Sequence, residues 1–220
     1  MGSITRSLSN NITTGGVILP AGITNSSVSA VTSFANASGG TLILLSTQTA
    51  SNSATISFTT GLDSTYDEYI FKFINIHPAT NAVDFTFNMS TDSGSNYNVT
   101  KTTTVFVADH EEADIDPPAL YYVTAKDLAQ STSFAPLCTA LGNDNDQNAG
   151  GELILFNPSS TTYVKHFIFK GIVSEHSDYS RQSYVAGYGN TTSAINAVQF
   201  KFSSGNIDDG VIKLYGVKKS

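Results

Sequence analysis

Ala82-Val83-Asp84-Phe85-Thr86-Phe87 returns later in the chain as Ala197-Val198-Gln199-Phe200-Lys201-Phe202. Both phrases alternate apolar with polar residues, the pattern of a strand with one buried and one wet face. Each runs into turn chemistry, Ser90-Thr91-Asp92-Ser93-Gly94 after the first and Ser203-Ser204-Gly205-Asn206 after the second. Read locally, both are the first strand of an antiparallel hairpin, so the two halves of the chain are expected to share a hairpin type.

Working outward, the same signature recurs. Candidate strands are 41–47, 54–59, 68–76, 83–90, 99–110, 119–124, 152–157, 163–173, 182–188, 194–202 and 210–217. The densest are Ile70-Phe71-Lys72-Phe73-Ile74 and Phe167-Ile168-Phe169, which read as central strands. Residues 124–131, containing Lys126-Asp127-Leu128-Ala129, are the one stretch with a helical turn in prospect. Regular short strands and turns predict an all-β protein, an antiparallel jelly-roll-like β-sandwich spanning residues 41–220.

Residues 1–40 differ. They are rich in Ser, Thr, Asn and Gly, with isolated apolar residues and almost no aromatics. Such a segment cannot bury a core of its own. It is expected to be an extended N-terminal arm that docks on an assembly through Ile4, Leu8, Ile12, Val17, Ile18 and Leu19.

Composition narrows the function. Charged residues are 13% of the 220, the net charge is −7, and the lysines are scattered. An acidic chain without a basic stripe is a poor phosphate binder, so no nucleic-acid partner is expected. The longest apolar run, Leu42-Ile43-Leu44-Leu45, is too short to insert in a membrane. The opening residues lack the apolar core of a secretory signal, which points to synthesis in a cytoplasm. Cys138 is the sole cysteine. It lies among Phe134, Leu137 and Leu141 and reads as a small buried hydrophobe.

No constellation of catalytic residues stands out, and an enzyme is not expected. The acidic run Asp109 to Asp116 ends in Pro117-Pro118 and reads as a solvated loop. Ser174, His176 and Asp178 are neighbours in sequence, whereas a hydrolytic triad converges from separate elements. His77 reads as structural and His166 as part of a polar sheet face. Asp144 and Asp146, in Gly142-Asn143-Asp144-Asn145-Asp146, alternate as calcium ligands do, but no bidentate Glu follows at the EF-hand offset. They are weak metal candidates, and no cofactor is expected. Tyr179, Tyr184 and Tyr188 offer rings on which sugars stack, though alternation should turn some of the tyrosines inward.

Several phrases resemble a family of structural virion proteins from tailed phages of marine bacteria, cyanobacteria included. They are Ile74-Asn75-Ile76-His77-Pro78, Asp127-Leu128-Ala129-Gln130-Ser131-Thr132, Leu155-Phe156-Asn157-Pro158-Ser159-Ser160, Tyr184-Val185-Ala186-Gly187-Tyr188 and Ile212-Lys213-Leu214-Tyr215-Gly216. The resemblance spans about residues 45–217 and implies a β-sandwich displayed on a bacteriophage particle, with no catalytic residues to carry over. It implies other virion proteins of the capsid or tail as partners, and a place in the virion as capsid decoration, fibre or tail component. A homo-oligomer is expected, a trimer suiting symmetric positions on a particle. The alternative is a module that binds host surface glycans.

Overall fold

In the computed structural model, residues 41–218 are described and, ahead of them, Ile12–Thr13 and Gly16–Val17. The chain divides into two units, Met1–Gly39 and Gly40–Ser220. In the first, β1 (Ile12–Thr13) pairs with β2 (Gly16–Val17), Ile12 opposite Val17. The other proposed docking residues, Ile4, Leu8, Ile18 and Leu19, lie outside the described residues.

The second unit is an antiparallel, jelly-roll-like β-sandwich without a helix among its described residues. Its strands are β3 (Leu42–Ser53), β4 (Ile56–Phe58), β5 (Glu68–Pro78), β6 (Val83–Ser90), β7 (Lys101–Glu111), β8 (Ala119–Tyr122) and β9 (Ala135–Leu141). They continue with β10 (Ala149–Phe156), β11 (Lys165–Glu175), β12 (Tyr179–Gly189), β13 (Ala197–Phe202) and β14 (Ile207–Val217). One layer runs β3-β14-β5-β10-β11-β12-β7-β8; the other runs β9-β6-β13-β4. The layers join where Glu175 of β11 pairs with Leu141 of β9, so the sheet is nearly closed on itself.

The eleven strands read from the sequence are all present, and β5 and β11 are interior as expected. Strand β9 was not legible. Its sequence Ala-Pro-Leu-Cys-Thr-Ala-Leu contains Pro136 and does not alternate cleanly. It fits because its pairing with β6 shifts register around Cys138 and Pro136, so Pro136 falls at an irregularity. Residues 124–131 hold no helix; a turn closed by Lys126 N–H to Val123 O stands there.

The hairpin expectation is corrected. The two Ala-Val-x-Phe-x-Phe phrases do not pair with the strands that follow them. They pair with each other, Phe87 opposite Phe200 and Phe85 opposite Phe202, and form the middle of the four-stranded layer. Both following connections cross to the eight-stranded layer. The second does so through Gly205, whose φ is +70°, and a Cβ there would meet Thr80 Oγ1 at 2.2 Å. The Ser/Gly/Asn signals mark sharp turns correctly, but a turn does not specify its strand's partner.

Phe200 explains the pairing. Its ring is 5.2 Å from Phe71 and 5.1 Å from Phe73 of the large layer, and 5.9 Å from Phe85 beside it. Phe58 and Phe87 close the cluster. Burying aromatics from both layers in one cluster drives the layers together, each ring contributing on the order of 2–3 kcal/mol by transfer from water. Cys138 is buried in this core, and burial followed by the Asp84 charge pushes its thiol pKa up, so it is inert.

Candidate functional site: the outer face of the eight-stranded sheet

Phe167, Phe169 and Val173 of β11 point into the core, yet two of the outward residues between them, Ile168 and Ile172, are apolar. Ile168 is 48% exposed and Ile172 54%. Apolar residues at consecutive positions furnish both faces of a strand, so the dense run that marks β11 as interior also coats its outer face. Cross-strand neighbours extend the coat. Ile168 sits between Ile154 of β10 and Ala186 of β12. Ile172 leads through Gln182 and Ala108 to Leu120, which is 71% exposed.

Between these rows runs a mixed one: Lys72, Glu152, Lys170, Tyr184, Phe106 and Tyr122 are successive neighbours across β5, β10, β11, β12, β7 and β8. The Glu152 carboxylate lies 3.5 Å from Lys72 and 3.3 Å from Lys170. Phe106 and Tyr122 meet edge to face at 5.0 Å, and the Tyr122 hydroxyl donates to Asp127. The face is therefore charged at one end and aromatic at the other. Two open depressions lie on it. One, of about 450 Å³, is lined by Thr102, Thr104, Phe156, His166, Ile168 and Tyr188. The other, about 470 Å³, is lined by His110, Pro118, Leu120, Ile172 and Gln182.

Of the tyrosines proposed for sugar contact, Tyr184 and Tyr188 share this face, as their even spacing on β12 requires. Tyr188 lies 6.2 Å from His166, which is on the outer face as expected. Tyr179 does not join them. It is of opposite parity, at the strand start, and its hydroxyl donates to Asp116 at 2.7 Å. That bond, with lesser effects of burial and nearby carboxylates, pushes its pKa up to about 12.

The acidic run is a strand end followed by an exposed loop from residue 112 to 118. Asp109 to Glu111 belong to β7. Arg181 of β12 grips Asp109 with two bonds, at 2.8 and 2.9 Å, and approaches the buried Glu175 at 3.6 Å. Burial opposes the Asp109 charge, but Arg181 and Tyr121 outweigh it and hold its pKa below the ordinary value. Arg181 also reaches Thr139 of β9 at 3.5 Å, so this cluster fastens the seam between the layers. Ser174, His176 and Asp178 sit around the β11–β12 turn; His176 contacts Glu175 at 2.6 Å and does not converge with a serine.

Asp144 and Asp146 lie in the 142–148 loop. Asp144 O accepts the N–H of Gln147, and its own N–H donates to Gln147 Oε1. Asp146 lines a polar depression of about 350 Å³ with His77, Asp208 and Asp209. His77 also faces Asp144 O at 3.2 Å and Asp208 at 3.7 Å, the structural place expected of it. Among the described residues, no three His, Cys, Asp or Glu side chains gather closely enough to hold a metal ion.

No protein-family model, curated protein or solved structure matches this chain. Among the described residues no helix is long and apolar enough to cross a membrane.

Proposed function

We propose that this chain is a non-enzymatic structural protein of a tailed-phage virion, made in the host cytoplasm and assembled on the particle. Its sandwich meets neighbouring virion proteins of the capsid or tail through the outer face of the eight-stranded sheet. The observation that supports this reading is the set of exposed apolar residues on that face, Ile168, Ile172 and Leu120. Contiguous exposed apolar surface rimmed by polar groups is the mark of a contact surface. Residues 1–40 are the second attachment. Many such contacts around a symmetric particle add by avidity. The family resemblance of the interior phrases points the same way.

The test is quantitative mass spectrometry of purified particles. The reading expects this chain at a fixed copy number, and a full-length Ile168→Lys/Ile172→Lys variant that folds but is depleted from particles. Absence of the wild-type chain from particles would refute it.

The depression around Tyr188 favours a second reading, recognition of a host surface glycan. Its apolar wall adjoins Thr102 and His166, and Gln130 approaches the Tyr188 hydroxyl at 3.4 Å. An aromatic ring beside hydrogen-bonding groups suits a saccharide. A glycan array probed with the full chain and a Tyr188→Ala variant separates the readings. Silence on every glycan removes the second.

A further inference from the structure

Where β6 ends and β7 begins, a lysine and an asparagine meet out of water. Lys101 and Asn88 are both 0% exposed. Lys101 Nζ lies 2.5 Å from Asn88 Oδ1 and 2.7 Å from Val99 O. A buried ammonium is normally matched by a carboxylate, but no ion pair among the described residues includes Lys101. It faces a carboxamide and a peptide carbonyl instead.

The surroundings favour the free amine. Burial pulls the Lys101 pKa down to about 7, so much of it is unprotonated and nucleophilic near neutrality. The carboxamide is held in one orientation. Oδ1 accepts the Met89 N–H at 2.8 Å, while Nδ2 donates to Tyr97 O at 2.7 Å and to Thr132 O at 2.9 Å. The contacts on both amide atoms agree on the same assignment of oxygen and nitrogen. A backbone N–H aimed at the carbonyl oxygen stabilises negative charge that develops there. Both groups are fixed by the fold, which raises their effective concentration far above that of free reactants.

We propose that Lys101 and Asn88 join in an intramolecular isopeptide bond. Neutral Nζ attacks Cγ of Asn88, and the carbonyl electron pair moves onto Oδ1 beside the Met89 N–H. One Nζ proton passes to Nδ2 within the tetrahedral intermediate. The carbonyl re-forms, the Cγ–Nδ2 bond breaks and ammonia leaves. The product is a secondary amide whose oxygen keeps the Met89 bond and whose remaining N–H faces Val99 O. No oxidant or other co-reactant is consumed. With no carboxylate bonded to either group to relay the proton, the bond accrues with time after folding.

The link ties β6 of the four-stranded layer to β7 of the eight-stranded layer, a covalent brace between the layers. The inference is independent of the virion reading. Lys165 supplies an internal control. It is also buried and flanks Gly189 from the opposite side, since Gly189 pairs with both lysines. Its Nζ donates to two peptide carbonyls, Tyr163 O and Thr191 O, and has no carboxamide to attack.

The experiment is intact mass of the denatured full-length chain, freshly purified and after prolonged mildly alkaline incubation, with peptide mapping. The expected result is a species lighter by one ammonia and a branched peptide joining Asn88 to Lys101. Lys165→Met keeps the loss, Lys101→Met abolishes it, and Asn88→Asp gives loss of water in its place. Full mass for the incubated wild type, with the Asn88 peptide recovered unbranched, overturns the proposal. That measurement on the wild type decides the matter even if a variant does not fold.

Discussion

The β6–β13 pair and the β11–β12 pair both place core residues at alternate positions, yet they treat their outer faces in opposite ways. Outward from β6 stand Asp84, Thr86, Asn88 and Ser90, all polar, and the last three are buried. Outward from β11 stand His166, Ile168, Lys170 and Ile172, half of them apolar, and all are exposed. The cause is what lies above each layer. Segments on either side of β7 and β8 run over the four-stranded layer. Tyr97 O and Thr132 O accept from Asn88, Lys126 pairs with Asp84 at 2.6 Å, and the Phe134 ring sits under the Lys201 ammonium at 4.2 Å. Among the described residues, nothing comparable covers Ile168 and Ile172. Polar residues are tolerated under a cover because each finds a partner. The apolar residues left bare are the ground for the proposed contact surface.

The contrast can be broken most severely at the core both layers share. Phe200→Ala should cost about 3–5 kcal/mol by cavity formation and unfold both layers together, as read by coincident transitions in urea by fluorescence and circular dichroism. Two separate transitions would mean that the layers are independent.

Next comes the seam. Arg181→Met strands Asp109 and Glu175, whose side chains are 10% and 5% exposed, without their cation. The expected loss is about 3 kcal/mol or more in urea unfolding near neutral pH. Acid should narrow the gap from wild type. The folded Asp109 pKa is lowered, so its stabilisation is present above the unfolded carboxylate pKa and is lost as pH falls through the folded value. A difference unchanged in acid would move the effect away from Asp109.

A smaller effect is expected under the cover. Thr86 donates to Lys201 O at 2.8 Å, and Thr86→Val should cost about 1 kcal/mol, measured by the shift in urea midpoint. The smallest lies on the bare face. Ile168→Thr and Ile172→Thr should each change stability by no more than about 0.5 kcal/mol while weakening particle association. A loss as large as at Thr86 would mean that the face is packed within the chain itself.

Much of this was legible without tertiary information. Val83–Ser90 is a strand with the bounds read from its alternation, and Glu68–Pro78 and Lys165–Glu175 are the interior strands their density announced. The inward aim of Phe85, Phe87, Phe200 and Phe202 follows from period two alone. The candidate site was legible only in part. Tyr184 and Tyr188 were candidates from residue type alone, and alternation did not say which tyrosines would face outward. The exposure of Ile168 and Ile172 was not legible, because apolar residues at consecutive positions look the same whether one face or both are covered. Strand β9 escaped because Pro136 masks a strand that a register shift accommodates.

By itself, then, the sequence determined every strand of the sandwich but β9, their inward faces and the places where the chain turns. These are local properties of backbone pleat and turn chemistry. Only the tertiary structure decided that the two matching phrases lie side by side, that Lys101 meets Asn88, and which outer face is left open to water. Those depend on contacts between residues far apart in the chain. Alternation states that a strand has an inside and an outside. It is silent on which strand lies alongside and on what segment passes over the top.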